Sequence, residues 1–287
     1  MRHRETTLMM NYHVWKLVTG KEEPELFLEM NAVHMDEVTL QLPAGAYTTF
    51  RTFEHNKALH LSGHVDRLEE STRLIEETLQ IPRIELRKVI QWIIAHEKFV
   101  DSRIRIVVHV ENKASHIFII AEPLSIPADK EYQNGVETIT INMHRDNPKA
   151  KLTSFIQSAG GIKQSLPENI HEALMVENNL ILEGLSSNFF ALIDSKLRTA
   201  NEGVLRGITR KIVIEVAQEA GLSIAYEPVS MNEIGYIQEC FITSSSRAVL
   251  PVRTIDDREI GAGRPGEITK MLLDRYNQRI AKEIRTI

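Results

Sequence analysis

The stretch that most constrains this chain is Leu182-Glu183-Gly184-Leu185-Ser186-Ser187-Asn188-Phe189-Phe190. It sets an ionisable side chain in an apolar, strand-like run, beside a glycine and two serines. An unpartnered carboxylate withdrawn from water is costly, so a fold that buries Glu183 must bring donors or a cation to it. Val176 and Leu180 to Leu182 flank Glu177-Asn178-Asn179, and this spacing predicts a β-hairpin. Its second strand is expected to run on to a further turn at Asp194-Ser195-Lys196. A lone glutamate on such a strand ordinarily faces solvent; the residues around this one argue otherwise.

A chain of 287 residues buries a full core and has room for one or two domains. The net charge of −5 speaks against a nucleic-acid surface. The single cysteine, Cys240, permits no intramolecular disulfide, and a cytoplasmic location is expected. No apolar run follows Met1-Arg2-His3-Arg4-Glu5, and no stretch of about 18 apolar residues occurs, so neither a secretory signal nor a membrane span is expected.

Along the chain, His13 to Val18 and Val38 to Leu42 read as strands, followed by Ala46 to Phe53 and Ala58 to Leu61. Val65, Leu68, Ile75 and Leu79 share one helical face, and a second helix opening at Pro82 buries Leu86, Val89, Ile90, Ile93 and Ile94. Residues 103–110 and 116–121 form a hairpin around Glu111 to Ser115, with Arg103, Arg105, Val107 and His109 on one face. His60 and His64 lie four apart, but one is assigned to a strand and the other to a helix. They share no face, and no metal site is expected. Ile139, Ile141 and Met143 alternate in a strand leading towards Lys149 and Lys151. A helix starts near Ile208-Thr209, carries Ile212, Val213 and Val216 inward, and ends at Gly221. Cys240 to Thr243 is a buried strand running into Ser244-Ser245-Ser246-Arg247, and a helix over Glu267 to Ile280 closes the chain.

Glu-Gly-x-Ser-Ser-Asn-x-Phe at 183–190, Gly207-Ile208-Thr209-Arg210, His64-x-x-Arg67-Leu68, and Lys151 placed 32 residues before Glu183 occur in this sequence. Together they resemble the class IV pyridoxal-phosphate enzymes, which include D-amino acid aminotransferases, branched-chain aminotransferases and aminodeoxychorismate lyases. The resemblance runs over about residues 45 to 275 and implies an α+β, two-domain D-amino acid aminotransferase-like fold. The expected division is a smaller α+β domain over 1–124, a linker over 125–132 and a larger α/β domain over 133–287.

The same resemblance implies pyridoxal 5'-phosphate as cofactor, held as a Schiff base on Lys151. It implies Glu183 opposite the ring nitrogen, Leu205 against the ring, and a phosphate cup of Arg67, Gly207, Ile208, Thr209 and Ser245. A guanidinium fork and a helix start rich in free N–H groups are suited to phosphate oxygens. Tyr47, Arg105, Ser246 and Arg247 fall at the substrate side, where two arginines would favour a carboxylate-bearing substrate. Transamination between an amino acid and a 2-oxo acid is the leading expectation. The Tyr47-Thr48-Thr49-x-Arg51 run also resembles the lyases, which release pyruvate and 4-aminobenzoate, and a cofactor-free binding protein is a further alternative. Two departures stand out: Leu42-Pro43-Ala44 replaces the family's Asp-Arg-Gly, and Phe155 stands where branched-chain enzymes place a tyrosine. A homodimer is expected from the family.

Overall fold

The structure is a computed structural model that describes residues 9–75, 79–112 and 114–287. The chain divides into two compact units. The first comprises Met1–Ser125, Ala150–Gly160 and Glu283–Ile287, and the second Ile126–Lys149 and Gly161–Lys282. The chain thus leaves the first unit after Ser125 and returns to it twice, once with the segment that carries Lys151.

In the first unit the elements are β1 (Met10–Lys16), β2 (Glu25–Ala32), α1 (Met35–Thr39), β3 (Ala46–Phe53), β4 (Lys57–Ala58), α2 (Leu61–Arg73), α3 (Arg83–Glu97), β5 (Ser102–Glu111) and β6 (Ala114–Pro123). Its strands form one sheet in the order β4-β3-β5-β6-β1-β2, with the C-terminal strand Arg285–Thr286 beside β4. Strand alternation sorts the side chains into two cores. Ile104, Ile106 and Val108 of β5 join Val65 and Leu68 of α2 and the Leu86-Val89-Ile90-Ile93 stripe of α3. Val107 and Tyr47 pack on the other side with Tyr12, Met35, Val38 and Ile156.

Several local expectations change here. Residues 38–42 are not a strand. Asp36 and Glu37 occupy the first turn of a short helix, where negative charge is favoured, and Thr39 Oγ1 donates back to the Met35 carbonyl at 2.7 Å. Strand β2 escapes the sequence pattern because it is an edge strand with mostly exposed side chains. His60 lies in neither strand nor helix; with φ of 47° it caps α2. That helix ends at Arg73, so Ile75 and Leu79 lie beyond it. The β5–β6 hairpin is tighter than expected, pairing to Glu111↔Ala114; Lys113 lies outside the described residues.

The second unit contains α4 (Asp129–Asn134), β7 (Val136–Asn142), the end of α5 (Thr153–Ser165), β8 (Ile170–Glu177), β9 (Leu180–Gly184), β10 (Asn188–Ile193), β11 (Lys196–Arg198), α6 (Ile208–Glu219), β12 (Ser223–Ala225), β13 (Val229–Ser230), β14 (Glu239–Ser244), β15 (Ala248–Ile255), β16 (Arg258–Glu259) and α7 (Glu267–Glu283). The path β10-β14-β15-β7-β8-β9 returns to β10, so six strands close on themselves. Their apolar set, including Leu174, Ile181, Phe189, Ile242 and Leu250, fills one core. The β8–β9 turn forms as expected, with Asn178 and Asn179 both at positive φ.

The strand after it does not run on to Asp194. It stops at Gly184, the Gly184 N–H bonds the Ser187 carbonyl at 2.8 Å, and the chain re-enters the sheet as β10. A Cβ at Gly184 would collide with Ser187 Oγ, which is why this reversal takes glycine. The single pair that closes the ring is Asn188↔Glu183. Among the described residues no helix is long and apolar enough to cross a membrane.

Candidate active site

In the first unit, Lys151 is stitched to the start of β3 by its backbone. Its carbonyl accepts the Tyr47 N–H at 2.8 Å, and its N–H donates to Ser71 Oγ on α2 at 3.1 Å. Next to it Leu152 bridges Ala46, and Thr153 and Gly45 exchange hydrogen bonds. A Cβ at Gly45 would collide with the Val108 carbonyl, so the close approach needs glycine. The Lys151 ammonium lies 4.8 Å from the centre of the buried Tyr47 ring, and the Arg105 guanidinium lies 5.0 Å from it. The Tyr47 ring thus has a cation–π contact with each of the two cations.

Arg67 follows His64 by one turn of α2, and both reach the same hydroxyl on β3. Arg67 Nη2 donates to Thr48 Oγ1 at 3.0 Å, and His64 Nδ1 is 3.0 Å from the same oxygen. The Thr48 hydroxyl, which accepts from Arg67, can also donate its proton to a neutral His64 at Nδ1. Burial holds the His64 pKa well below 6.5, and the charges of Arg67, Lys151 and His60 act in the same sense. Burial likewise pushes the Arg67 guanidinium down to about 10, against the pull of Tyr47 and Glu70. Arg67 Nε is shielded from solvent and has no hydrogen-bond partner among the described residues. Arg105 is treated differently. At 2% exposure it meets Asp36 Oδ1 at 2.8 Å and donates to Thr39 and Thr49.

In the second unit the ring-closing pair is the chemical centre. Glu183, 1% exposed, takes Arg145 Nε on Oε1 at 2.6 Å. Its Oε2 accepts Asn188 Nδ2 at 2.9 Å and the Leu205 N–H at 3.2 Å. Asn188 Nδ2 also reaches the Leu205 carbonyl at 2.7 Å, so one amide ties the carboxylate to the chain entering α6. A Cβ at Gly207 would strike Asn188 Oδ1. Gly207 begins α6 with no side-chain cap, and Thr209 lies buried in its first turn. Free N–H groups, a hydroxyl and the positive end of the helix are a donor set for an anion.

Ser245, Ser246 and Arg247 form the β14–β15 turn. Arg247 is bound inward: Nη1 reaches Glu172 Oε2 at 2.9 Å, and Nη2 reaches the Ser186 hydroxyl at 2.6 Å and its carbonyl at 3.0 Å. Glu172 also accepts from Ser186 and Ser187. Burial raises its pKa, but Arg247, Lys163 and the Ser186 hydrogen bond outweigh that and hold it below the usual carboxylate range.

The structure therefore groups Lys151, Tyr47, Arg67 and Arg105 in the first unit, and Glu183, Leu205, Gly207, Ile208, Thr209, Ser245, Ser246 and Arg247 in the second. Sequence reading missed Arg145, Ser71, Asp36 and Glu172. Thr48 and Asn188 were part of quoted motifs but had no role of their own. Only Glu183's need for a partner pointed towards an Arg145-like residue, and nothing in the spacing named it.

Residues 45–255 match the model of the family described as amino-transferase class IV. The chain belongs to this family. This class IV aminotransferase is 28% identical to a putative branched-chain-amino-acid aminotransferase of Methanocaldococcus jannaschii, over 79% of the chain and 82% of that relative. It is also 28% identical to a D-alanine aminotransferase of Bacillus licheniformis, over 83% and 88%. The T.th. branched-chain amino acid aminotransferase, solved with pyridoxamine 5'-phosphate, has the same fold, with a TM-score of 0.80 and 19% identity over 97% of this chain and 99% of that one. Nothing in these likenesses points to the lyase reaction. Pyridoxal 5'-phosphate fits the donor chemistry of the aminotransferase: in the first unit a half-buried arginine with a shielded, unused N–H, and in the second an uncapped helix start with a buried threonine.

Proposed function

We propose that the enzyme moves an amino group between an amino acid and a 2-oxo acid with Lys151 as the cofactor-bearing and proton-transferring residue. When bound, pyridoxal 5'-phosphate supplies the electron sink for the carbanion at the substrate Cα. The Lys151 amine, placed by its backbone bonds to Tyr47 and Ser71, would move the proton between the substrate Cα and the cofactor, a role worth about 10²–10⁴-fold. Glu183 would serve the ring nitrogen, its negative charge favouring the protonated ring. Arg145, Asn188 and the Leu205 N–H hold its charge in place, and Leu205 packs against the ring. Arg67, the Ile208 and Thr209 N–H groups, the Thr209 hydroxyl and Ser245 bind the phosphate, with Gly207 admitting the close approach. The observation that carries this reading is Arg67, a shielded guanidinium that meets a hydroxyl and keeps one N–H unused.

Tyr47 and Ser246 contact the substrate. Arg105 and Arg247 border it with their charge already matched by Asp36 and Glu172. That matching removes the ground for expecting an acidic side chain on the substrate, since a second carboxylate would compete with one the protein supplies. The proposal includes a cytoplasmic homodimer. The exposed Leu26 and Phe27 on the edge strand β2 support self-association, and the single buried Cys240 suits a reducing compartment.

Single-turnover spectroscopy tests the reaction. An amino acid alone should convert the bound cofactor to its amine form, and a 2-oxo acid should restore it. Release of pyruvate from aminodeoxychorismate, with no response to a panel of L- and D-amino acids, would replace the transaminase reading by the lyase one.

A further inference from the structure

We propose that the first unit carries a second site, unrelated to the cofactor, that binds a transition-metal ion such as Zn²⁺ through His13, His96 and Glu97. His13 lies on β1 and shares a strand face with Trp15 two residues on. The last two turns of α3 bring Trp92, His96 and Glu97 to the same place, Trp92 and His96 being one turn apart. One ligand atom from each of His13, His96 and Glu97 lies within 4.8 Å of the others.

Two of the three ligands already stand at a spacing that one ion can bridge. His13 Nδ1 and Glu97 Oε1 are 3.0 Å apart, and two atoms at that separation can each sit about 2.1 Å from the same Zn²⁺. The surroundings fix both. The Trp15 indole N–H donates to Glu97 Oε1 at 3.1 Å, which orients the carboxylate. His13 Nε2 faces Glu29 Oε1 at 3.9 Å across the β1–β2 pair. Coordination through Nδ1 moves the imidazole proton to Nε2, towards that carboxylate, and the ring stays neutral. At 3.9 Å that carboxylate is beyond hydrogen-bond reach, and a small shift of Glu29 would bring it behind the ligating ring, the arrangement that strengthens metal–imidazole bonds.

His96 is the adjustable ligand. Its ring stacks on Trp92 at 4.6 Å and 11°, stands edge-on to Trp15 at 5.0 Å, and lies 6.1 Å from the His13 ring. Its ligand atom already lies within 4.8 Å of the other two, and His96 is exposed, so its ring has room to turn towards a shared ion. Imidazole and carboxylate together suit Zn²⁺, Cu²⁺ or Ni²⁺ rather than Mg²⁺ or Ca²⁺, which prefer all-oxygen shells.

The chain supplies its own reporter, because its two tryptophans, Trp15 and Trp92, both touch this cluster. Cu²⁺ titrated into the cofactor-loaded enzyme should quench tryptophan emission saturably, and Zn²⁺ should restore it by competition. His96→Ala, a substitution at an exposed position, and His13→Gln should each move the quenching midpoint to at least about tenfold higher Cu²⁺, with turnover retained. A midpoint unchanged in His96→Ala would place the ion elsewhere, for example at His3, and overturn the proposal. Absence of saturable quenching in the unsubstituted enzyme would do the same.

Discussion

Arg67 and Arg145 are both arginines drawn away from bulk water, one in each unit, and the protein treats them in opposite ways. Arg145 meets the Glu183 carboxylate at 2.6 Å, and Asn188 and Leu205 complete the carboxylate's shell. Arg67 meets the Thr48 hydroxyl and keeps a shielded Nε unused. The first is a matched pair whose geometry is set before any ligand arrives. The second is a cation whose desolvation the protein compensates only in part, so that a bound anion would gain what the fold withholds. A preorganised carboxylate and an unfilled guanidinium are two different ways of preparing a site, and the proposed function assigns each its own part.

The largest effect lies outside that contrast. Lys151→Ala should abolish covalent cofactor attachment and transamination, and borohydride reduction with peptide mapping should mark Lys151 in the unsubstituted enzyme. Label on Lys149 or Lys163 would move the assignment.

The contrast itself is broken next. Glu183→Gln removes the charge that Arg145 meets at 2.6 Å, and loss of one partner of a buried pair costs about 3–5 kcal/mol. Denaturant unfolding should show that loss in the cofactor-free protein, and the activity deficit should fall on kcat. Arg67→Met should behave in the reverse sense. Cofactor retention, read by dialysis and fluorescence, should weaken by about 1.5–3 kcal/mol, whereas the cofactor-free protein should be no less stable. If the two variants lose stability alike, Arg67 is a structural residue and the contrast fails.

A smaller effect is expected at the start of α6. Gly207→Ala should push Asn188 off Glu183 and Leu205 at a cost of about 1–3 kcal/mol, seen as a lower kcat and a lower unfolding midpoint. The smallest sharpens the state of the Thr48 cluster. His64 is buried neutral, so its contribution is present above its unfolded value of 6.5 and lost as pH falls below it. Glu172, held low, acts in the same direction at more acid pH, losing its contribution as pH falls through its folded value. Unfolding midpoints measured downward from neutrality should fall first below about pH 6.5, and His64→Gln should flatten that first step.

Much of the local structure was written in short-range pattern. The α3 stripe, the β5–β6 alternation, the Asn178-Asn179 turn and the α6 start with its glycine end all form where periodicity and turn chemistry put them. These depend on neighbours one to four residues away, which a single sequence displays. The stretch before Ala46 was read less well, because an exposed edge strand has little apolar rhythm and a one-turn helix has too few residues to show a period. The motif that drew attention to Glu183 identified the carboxylate but gave it the wrong path, since the reversal at Gly184 depends on a Ser187 contact and on ring closure.

The sequence by itself determined which residues are chemically equipped: a lysine, a strand-borne glutamate, an arginine one turn into a helix, and a glycine-threonine helix start. Tertiary structure alone decided what each of them meets. Arg145 reaches Glu183 across 38 residues of chain, Ser71 reaches Lys151 across 80, and Glu172 reaches Arg247 across 75. Pairings over such separations follow from strand order and the return of the chain to an earlier unit. Hydrophobic periodicity carries no record of either, because it reports which face of an element is buried and not which other element covers it.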